Sequence, residues 1–206
     1  MSQYNCSMFS DSVYLFGTTF SPASLWKPYE ELPDGTKVDQ KKLAEQVVLA
    51  AFAYLYNKKL IDIVLGRRGS FFSEKETAKV KKLQSTAPDI SGLELAVFSS
   101  IRDNSNIYRI TRGLTADPLL NSSNPWGEVL QHVKWNLEHR GILKEVEKEK
   151  IFFITTYKYV VNGDISKEEK QVTELKKTLA ELQSKGELYE RILSDIKDGI
   201  SSRWEY

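Results

Sequence analysis

The chain of 206 residues has very few of the side chains that bind metals or form cross-links: one cysteine, Cys6, and two histidines, His132 and His139. A single thiol can neither form an intramolecular disulfide nor supply the several thiolates of a structural zinc site. On one helix, the seven-residue spacing of the histidines separates them by about 10 Å, which is too far for one metal ion. We therefore predict a protein without a metal site or a cofactor.

The sequence also lacks an excess of either charge and a long apolar run. It has 29 basic and 28 acidic residues, so no overall field attracts nucleic acid or an anionic membrane, and any such contact must come from a local patch. The longest apolar stretch, Val47–Leu55, is too short to span a bilayer, and residues 1–17 do not have the pattern of a signal peptide. We expect a cytoplasmic protein whose membrane contact, where it occurs, is peripheral.

Short catalytic motifs are missing as well. The sequence contains no G-x-S-x-G, no G-x-x-x-x-G-K-[ST], no H-E-x-x-H and no C-x-x-C. We predict that the protein is not an enzyme. The alternative is a site without a compact motif, built from carboxylates such as Glu94, Asp103 and Asp117 that the fold brings together.

The first 38 residues are rich in aromatic side chains and are interrupted by Pro22, Pro28 and Pro33. This composition predicts one short strand, Val13–Phe16, followed by irregular chain. Rings of this size need a surface to lie on, so they either pack across the core or form an exposed contact site. The aromatic residues of this segment are Tyr4, Phe9, Tyr14, Phe16, Phe20, Trp26 and Tyr29.

The next segment, residues 39–73, reads as a helix followed by a hairpin. Asp39 is placed to cap a helix that ends near Asn57, and Leu60–Leu65 then forms an apolar, β-branched strand. A turn is predicted at Gly66–Gly69 and a second strand at residues 70–73. The apolar face of the helix consists of Leu43, Val47, Ala50, Ala51, Tyr54 and Leu55.

Between this unit and the next, the pattern predicts helical charge-rich sequence over residues 74–84. Ser91 and Glu94 are spaced as a capping box for a helix that carries Leu93, Val97 and Ile101 on one stripe. Ile107–Ile110 is predicted to be a short strand.

Residues 124–155 repeat the order of helix and hairpin. Asn124 followed by Pro125 is typical of a helix start, and Gly141 supplies a left-handed end. Strands are predicted at 142–146 and 151–155, with a charged turn at 147–150. A helix that leads into a two-stranded wing is the C-terminal half of a winged helix. We therefore predict a mainly helical α+β fold with two winged-helix-like units, 39–73 and 124–155, in a globular domain spanning 1–163.

The C-terminal region, residues 164–206, begins with a second possible capping box, Ser166 and Glu169, and continues as helix. Its apolar residues recur in steps of three and four, as in a coiled coil. One interpretation is a single helix roughly 50 Å long, and the other is a helical hairpin that folds back at Gly186. The proposed seam for a partner helix or a homodimer consists of Val172, Leu175, Leu179, Leu182, Tyr189 and Leu193.

One stretch, residues 58–82, has a clear local excess of positive charge. Arg67 and Arg68 lie between two glycines, where guanidinium groups could bind phosphate oxygens through paired hydrogen bonds. The alternative is a solvated hairpin tip. Its eight basic residues, against three acidic ones, are Lys58, Lys59, Arg67, Arg68, Lys75, Lys79, Lys81 and Lys82.

The sequence resembles the Golgi-phosphoprotein (GPP34-type) family of lipid-binding adaptors over about residues 24–180. The likeness lies in LYNKKLIDIV at 55–64, WNLEHRGILKEV at 135–146 and FFITTYKYV at 152–160. The resemblance implies a mostly helical fold that holds a phosphoinositide head group in a basic pocket with an early tryptophan, whose place Trp26 takes. The family's pocket arginines correspond here to Glu45–Gln46, Gly127 and Leu130, none of which is basic.

These observations favour a non-enzymatic adaptor that contacts an anionic membrane surface or a protein partner through Trp26, Arg67 and Arg68. The alternative is a winged-helix regulator that binds nucleic acid, but its candidate recognition helix, 125–139, has Lys134 as its only Lys or Arg. A third hypothesis is a structural subunit that dimerises through the C-terminal helix.

Overall fold

The computed structural model describes residues 7–68, 75–103, 105–115, 124–151 and 154–202. Within these ranges the chain is α+β and mainly helical, with three two-stranded antiparallel sheets. The helices are α1 (Phe9–Leu15), α2 (Gln40–Asn57), α3 (Gly92–Ser100), α4 (Ile107–Leu114), α5 (Pro125–His139), α6 (Ser166–Gln183) and α7 (Glu187–Ser201). The strands are β1 (Tyr29–Glu31), β2 (Lys37–Asp39), β3 (Ile61–Arg68), β4 (Lys75–Lys82), β5 (Leu143–Ile151) and β6 (Ile154–Val161).

Helix α2 lies at the centre of the fold. Asp39 caps it as predicted, because its side chain accepts hydrogen bonds from the backbone N–H groups of Lys41 and Lys42. The predicted apolar face is buried, and α2 packs against α1, α3, α5, α6 and α7. A helix surrounded by others in this way carries the core of a single packed unit.

The order of helix and hairpin is confirmed twice: α2 leads into β3 and β4, and α5 leads into β5 and β6. The boundaries of α5 follow the sequence signals. The Asn124 side chain accepts a hydrogen bond from the N–H of Gly127, Pro125 opens the helix, and Gly141 has a φ of +70° just after its end.

Two predicted strands are helices instead. Val13–Phe16 was expected to be a strand, but Phe9–Leu15 forms α1, which places Phe9, Val13 and Tyr14 in the core on the spacing of a helix. Ile107–Ile110 begins α4, where the Asn106 side chain accepts a hydrogen bond from the N–H of Arg109. In both segments the residues have a high β propensity, but packing of an apolar helix face against the core determines the structure.

The hairpin turns were predicted too early. The predicted turn at 66–69 lies largely within β3, which continues through Arg68, and the predicted turn at 147–150 lies within β5. The predicted helical stretch 74–84 is mostly β4. Ala78 and Val80 are both buried, at the two-residue spacing of a strand, but the many lysines around them made the segment resemble a solvated helix. The expected strand 70–73 lies outside the described residues.

Neither predicted capping box forms. Ser91 is the N-cap residue of α3, but its side chain makes no capping bond, and Glu94 is buried against Ser10 instead. Helix α6 begins at Ser166, whose N–H is bonded by Asp164. In the first case a tertiary contact holds Glu94, and in the second Ser166 bonds locally to Asp164 instead.

The C-terminal region is two helices and not one. The chain leaves α6 at Ser184 and enters α7 after Gly186, which has a φ of +53°, a value that favours glycine. Helix α6 packs against α1 and α2, whereas α7 packs against α4, β4 and α2. The interpretation as a single 50 Å helix is therefore wrong, and the boundary predicted at residue 163 separates elements that share one core.

Five of the six seam residues lie in or against the chain's own core. Leu175 and Leu182 are fully buried, and Leu179, Tyr189 and Leu193 pack against the edge of the core. Val172 is partly exposed. At these five positions the apolar spacing that suggested a partner helix is accounted for by intramolecular packing, and dimerisation through this region stays a prediction.

Candidate functional site: an aromatic loop and a basic groove

A short loop before β1 presents two large apolar side chains to solvent. Leu25 is 87% exposed and Trp26 is 83% exposed, and Lys27 beside them is exposed too. Large aromatic residues are usually buried or placed at interfaces, so exposure of this degree at two successive positions is unusual. Trp26 is therefore exposed, as the contact-site interpretation requires, whereas Phe9 and Tyr14 belong to the core.

The ends of this loop are fixed to neighbouring backbone. The N–H of Ser24 donates to the carbonyl of Lys37 (3.0 Å), and the N–H of Gln40 donates to the carbonyl of Pro28 (3.3 Å). Within the loop, the Ser24 hydroxyl donates to the carbonyl of Trp26 (2.9 Å). Hydrogen bonds hold the loop at both ends and at one point within it, so little further ordering of the chain is needed for Trp26 to contact a partner.

Arg67 and Arg68 do not form the expected phosphate-binding tip. Both lie within β3, and the guanidinium of Arg68 stacks on the ring of Tyr108 at 3.6 Å and lies 3.9 Å from the carboxylate of Asp198. The Arg68 side chain is only 15% exposed as a result. Arg67 is exposed, but the pair is not a two-pronged site because Arg68 is engaged within the fold.

A groove of about 600 Å³ lies between β4 and the segment that joins α3 to α4. Its apolar part is formed by Val64, Val80 and Ile101, and its rim is polar. The polar residues that line it are Lys79, Lys81, Lys82, Arg102, Asp103 and Ser105. Three of the eight basic residues of the stretch 58–82 therefore lie around one cavity, and Arg67 and Arg68 are not among its lining residues.

The groove is closed on one side by a short extension of the β3–β4 sheet. Lys79 forms an isolated antiparallel bridge with Asn106, and the N–H of Val80 donates to the carbonyl of Ser105 (3.0 Å). Arg102 joins the lysines because Ile101, Arg102, Asp103 and Ser105 line the groove beside β4. This position was not predicted from the sequence, in which α3 is expected as a helix but Ile107–Ile110 as a strand.

A second charged cluster is buried and serves the fold. The Arg140 guanidinium donates to Asp11 at 2.6 Å and to Glu168, and Asn136 donates to both carboxylate oxygens of Asp11 at 3.1 and 3.0 Å. Glu94 accepts from the N–H and the hydroxyl of Ser10 at 2.9 and 2.7 Å. These contacts connect α1, α3, α5 and α6.

Burial changes the protonation of two of these carboxyls. It raises the pKa of Asp11 to about 6, although the positive charge of Arg140 lowers it, and it raises the pKa of Glu94 to about 8, with Asp11 adding to the increase. Both side chains are inaccessible to solvent. Of the other carboxylates considered from the sequence, Asp103 lies at the groove and Asp117 is outside the described residues.

No family model matches the chain, and neither a curated protein nor a solved structure does. The resemblance to GPP34-type adaptors therefore stays a prediction. In the described ranges, no cluster of three His, Cys, Asp or Glu side chains could hold a metal ion. None of the helices described has both the length and the apolar character needed to cross a membrane.

Proposed function

We propose that the protein is a non-enzymatic adaptor that docks reversibly on an anionic membrane surface through the loop of Leu25, Trp26 and Lys27. The observation that carries this proposal is the nearly complete exposure of the two apolar side chains on a loop held at both ends. A tryptophan beside a lysine suits the boundary between lipid tails and head groups, where a ring and a charge are both accommodated.

The expected strength of this contact is modest. Burying Leu25 and Trp26 in lipid would contribute roughly 3–6 kcal/mol together, by the usual value for a large apolar side chain. Each lysine close to an anionic surface adds about 1 kcal/mol. Besides Lys27, the neighbouring Lys37 has its ammonium 4.6 Å from the centre of the Tyr29 ring. Docking should therefore need anionic lipid and should weaken with salt.

Vesicle flotation tests the proposal. The wild-type chain should float with vesicles that contain phosphatidylserine and should remain in solution with phosphatidylcholine alone. The double variant Leu25→Ser/Trp26→Ser should lose roughly 100-fold in partition coefficient, the equivalent of about 3 kcal/mol. Phosphatidylserine vesicles that bind the double variant as well as they bind wild type would reject the loop as the contact.

A matched control uses the same two residue types elsewhere on the surface. Leu83 and Trp135 are about half exposed, at 53% and 51%. The variant Leu83→Ser/Trp135→Ser therefore removes comparable side chains while leaving the loop unchanged. It should float like wild type, whereas an equal loss in both double variants would indicate a general effect of surface hydrophobicity.

The winged-helix-like interpretation of the two units remains a proposal, and nucleic-acid binding is the weaker function. In that interpretation α5 is the recognition helix, but the ammonium of Lys134 is bound to Glu30 at 3.0 Å. Arg68 on the first wing is held by Tyr108 and Asp198. An electrophoretic shift that is abolished by Arg67→Ala/Arg68→Ala would favour this alternative; one that persists would exclude the wing as its cause.

A further inference from the structure

The four basic residues of the groove between β4 and the α3–α4 segment have no ion-pair partner in the part of the chain that the structure describes. Basic residues elsewhere that do pair with carboxylates are Lys42, Lys58, Arg68, Lys134, Arg140, Lys148 and Arg191. Four cations around one cavity, with Asp103 as the one carboxylate among its lining residues, form an anion-attracting surface.

Acidic residues near the groove only partly offset this charge. Asp103 lines the groove, and Asp62 lies directly opposite Lys81 in the register of β3 and β4. Four positive charges less these two negative charges leave a net charge of +2. A ligand that neutralises the groove therefore carries at least two negative charges.

Two of the lysines are held in place by the fold. The stem of Lys79 lies across Gly66, so closely that a Cβ added at that glycine would be 2.6 Å from its Cδ. The ammonium of Lys82 lies 4.4 Å from the centre of the Phe98 ring. Side chains that are already ordered lose less entropy when they bind a ligand than freely moving surface lysines do.

Besides the charged side chains, the groove has neutral hydrogen-bond donors. The hydroxyl oxygen of Ser105 accepts a hydrogen bond from the N–H of Arg102 at 2.8 Å, which leaves its own hydrogen available for a ligand. Along the outer edge of β4, the N–H of Ala78 donates to Asp195 and that of Val80 donates to Ser105. By the strand alternation, the N–H of Lys82 faces the same edge.

We propose that this groove binds a compact polyanion that carries phosphate groups, such as a polyphosphate or a multiply charged phosphate ester. Phosphate suits this set of donors, because Arg102 can bond two oxygens at once while lysines and a hydroxyl bond the others. The volume of about 600 Å³ is that of a small-molecule site, and Val64 and Ile101 provide an apolar part for the rest of an ester. This site is separate from the membrane-docking loop.

Calorimetric titration of the full chain with tripolyphosphate tests the inference. Wild type should bind one equivalent, and Lys79→Gln/Lys81→Gln/Arg102→Gln should raise Kd about 30-fold, because three ion pairs of ordinary surface strength are lost. The control Lys144→Gln/Lys158→Gln/Lys177→Gln removes three exposed basic residues elsewhere and should leave Kd within about twofold of wild type. Equal weakening in both triple variants, or no saturable binding by wild type, would overturn the proposal.

Gly66→Ala provides a second test that removes no charge. The added methyl group must displace the stem of Lys79, so Kd should rise several-fold while the net charge stays the same. Circular dichroism should show the fold intact, since the conflict is with a flexible side chain. An unchanged Kd in Gly66→Ala would contradict the role assigned to an ordered Lys79.

The source of the phosphate is decided by competition. Phosphatidylserine vesicles that bind the loop but do not displace tripolyphosphate support a soluble ligand in the groove. Displacement by vesicles carrying a phosphorylated head group, lost in the groove triple variant, supports the same chemistry supplied by a lipid. Tight binding of single-stranded oligonucleotides that strengthens with length over many nucleotides would overturn the compact ligand in favour of nucleic acid.

Discussion

Arg140 and the four basic residues of the groove show two different uses of positive charge in one small fold. The guanidinium of Arg140 is 5% exposed and bonds to Asp11 and Glu168, so its charge is neutralised by the chain itself. Lys81 and Arg102 are exposed at the groove and have no carboxylate partner among the described residues. The comparison separates charges that stabilise the structure from charges that are available to a ligand.

The buried cluster is also the more demanding of the two environments. Asp11 and Glu168 share the guanidinium of Arg140, whereas Glu94 is fully buried and has no cation bonded to it among the described residues. Charge in a low-dielectric interior is costly, and burial raises the pKa of Glu94 to about 8, so Glu94 should keep its proton at neutral pH. The groove faces water and avoids this penalty, although its like charges repel one another.

Replacing Arg140 should have the largest effect. Arg140→Met leaves Asp11 and Glu168 buried without their cation and should lower the free energy of unfolding by about 3–5 kcal/mol. Urea unfolding followed by circular dichroism measures this. Arg102→Met, the same substitution at the groove, should change stability by no more than about 0.5 kcal/mol. A similar decrease in the free energy of unfolding in the two variants would contradict the distinction between charges that stabilise the fold and charges that are available to a ligand.

The pH dependence of stability should reveal the buried cluster next. Asp11 and Glu94 have raised pKa values, about 6 and about 8, against ordinary values of 3.8 and 4.5. The folded chain therefore binds more protons than the unfolded chain between these values, and the free energy of unfolding should fall as pH rises from about 4 to about 8. The decrease should amount to a few kcal/mol in urea titrations at successive pH values.

Glu94→Gln isolates the larger contribution to this slope. The amide keeps the shape of the side chain and cannot ionise, so the fall between about pH 6 and 8 should largely disappear. The controlled comparison is Glu145→Gln on the exposed part of β5, which should retain the wild-type slope. A slope that is unchanged in Glu94→Gln would place the titrating group elsewhere.

The groove variant should have the smallest effect on stability. Lys79→Gln/Lys81→Gln/Arg102→Gln should alter the free energy of unfolding by less than about 1 kcal/mol, and in the stabilising direction, because mutual repulsion is relieved. Thermal unfolding at low salt is the suitable measurement, since screening hides repulsion at high salt. A large destabilisation would mean that these cations have structural partners.

Much of the fold could be predicted because local signals and tertiary packing agree in α2 and α5. Asp39, Asn124 and Gly141 mark helix ends through their own backbone chemistry, and the apolar faces between them are buried. The errors fall where the two disagree. Four of the eight residues of β4 are lysines, so its composition resembles that of a solvated helix. Helix α1 was predicted as a strand because of its β-branched and aromatic residues.

The site was only partly visible in the sequence for the same reason. Trp26 was singled out as a candidate, but its exposure depends on the bonds that hold its loop to Lys37 and Gln40. The positive charge of residues 58–82 is evident in the sequence. The sequence does not show that Arg68 stacks on Tyr108 while Lys79, Lys81 and Lys82 line the groove. Sequence gives the charges, and only the packing decides which of them have partners.

The most direct test of the available charges is an NMR titration of the chain with its lysines reductively ¹³C-methylated, each signal assigned by a Lys→Arg variant. On addition of tripolyphosphate, the methyl signals of Lys79, Lys81 and Lys82 should shift together and saturate at one equivalent. Signals from Lys144 and Lys158, exposed on the other hairpin, should stay in place. Equal, non-saturating shifts at all exposed lysines would contradict the assignment of a binding groove.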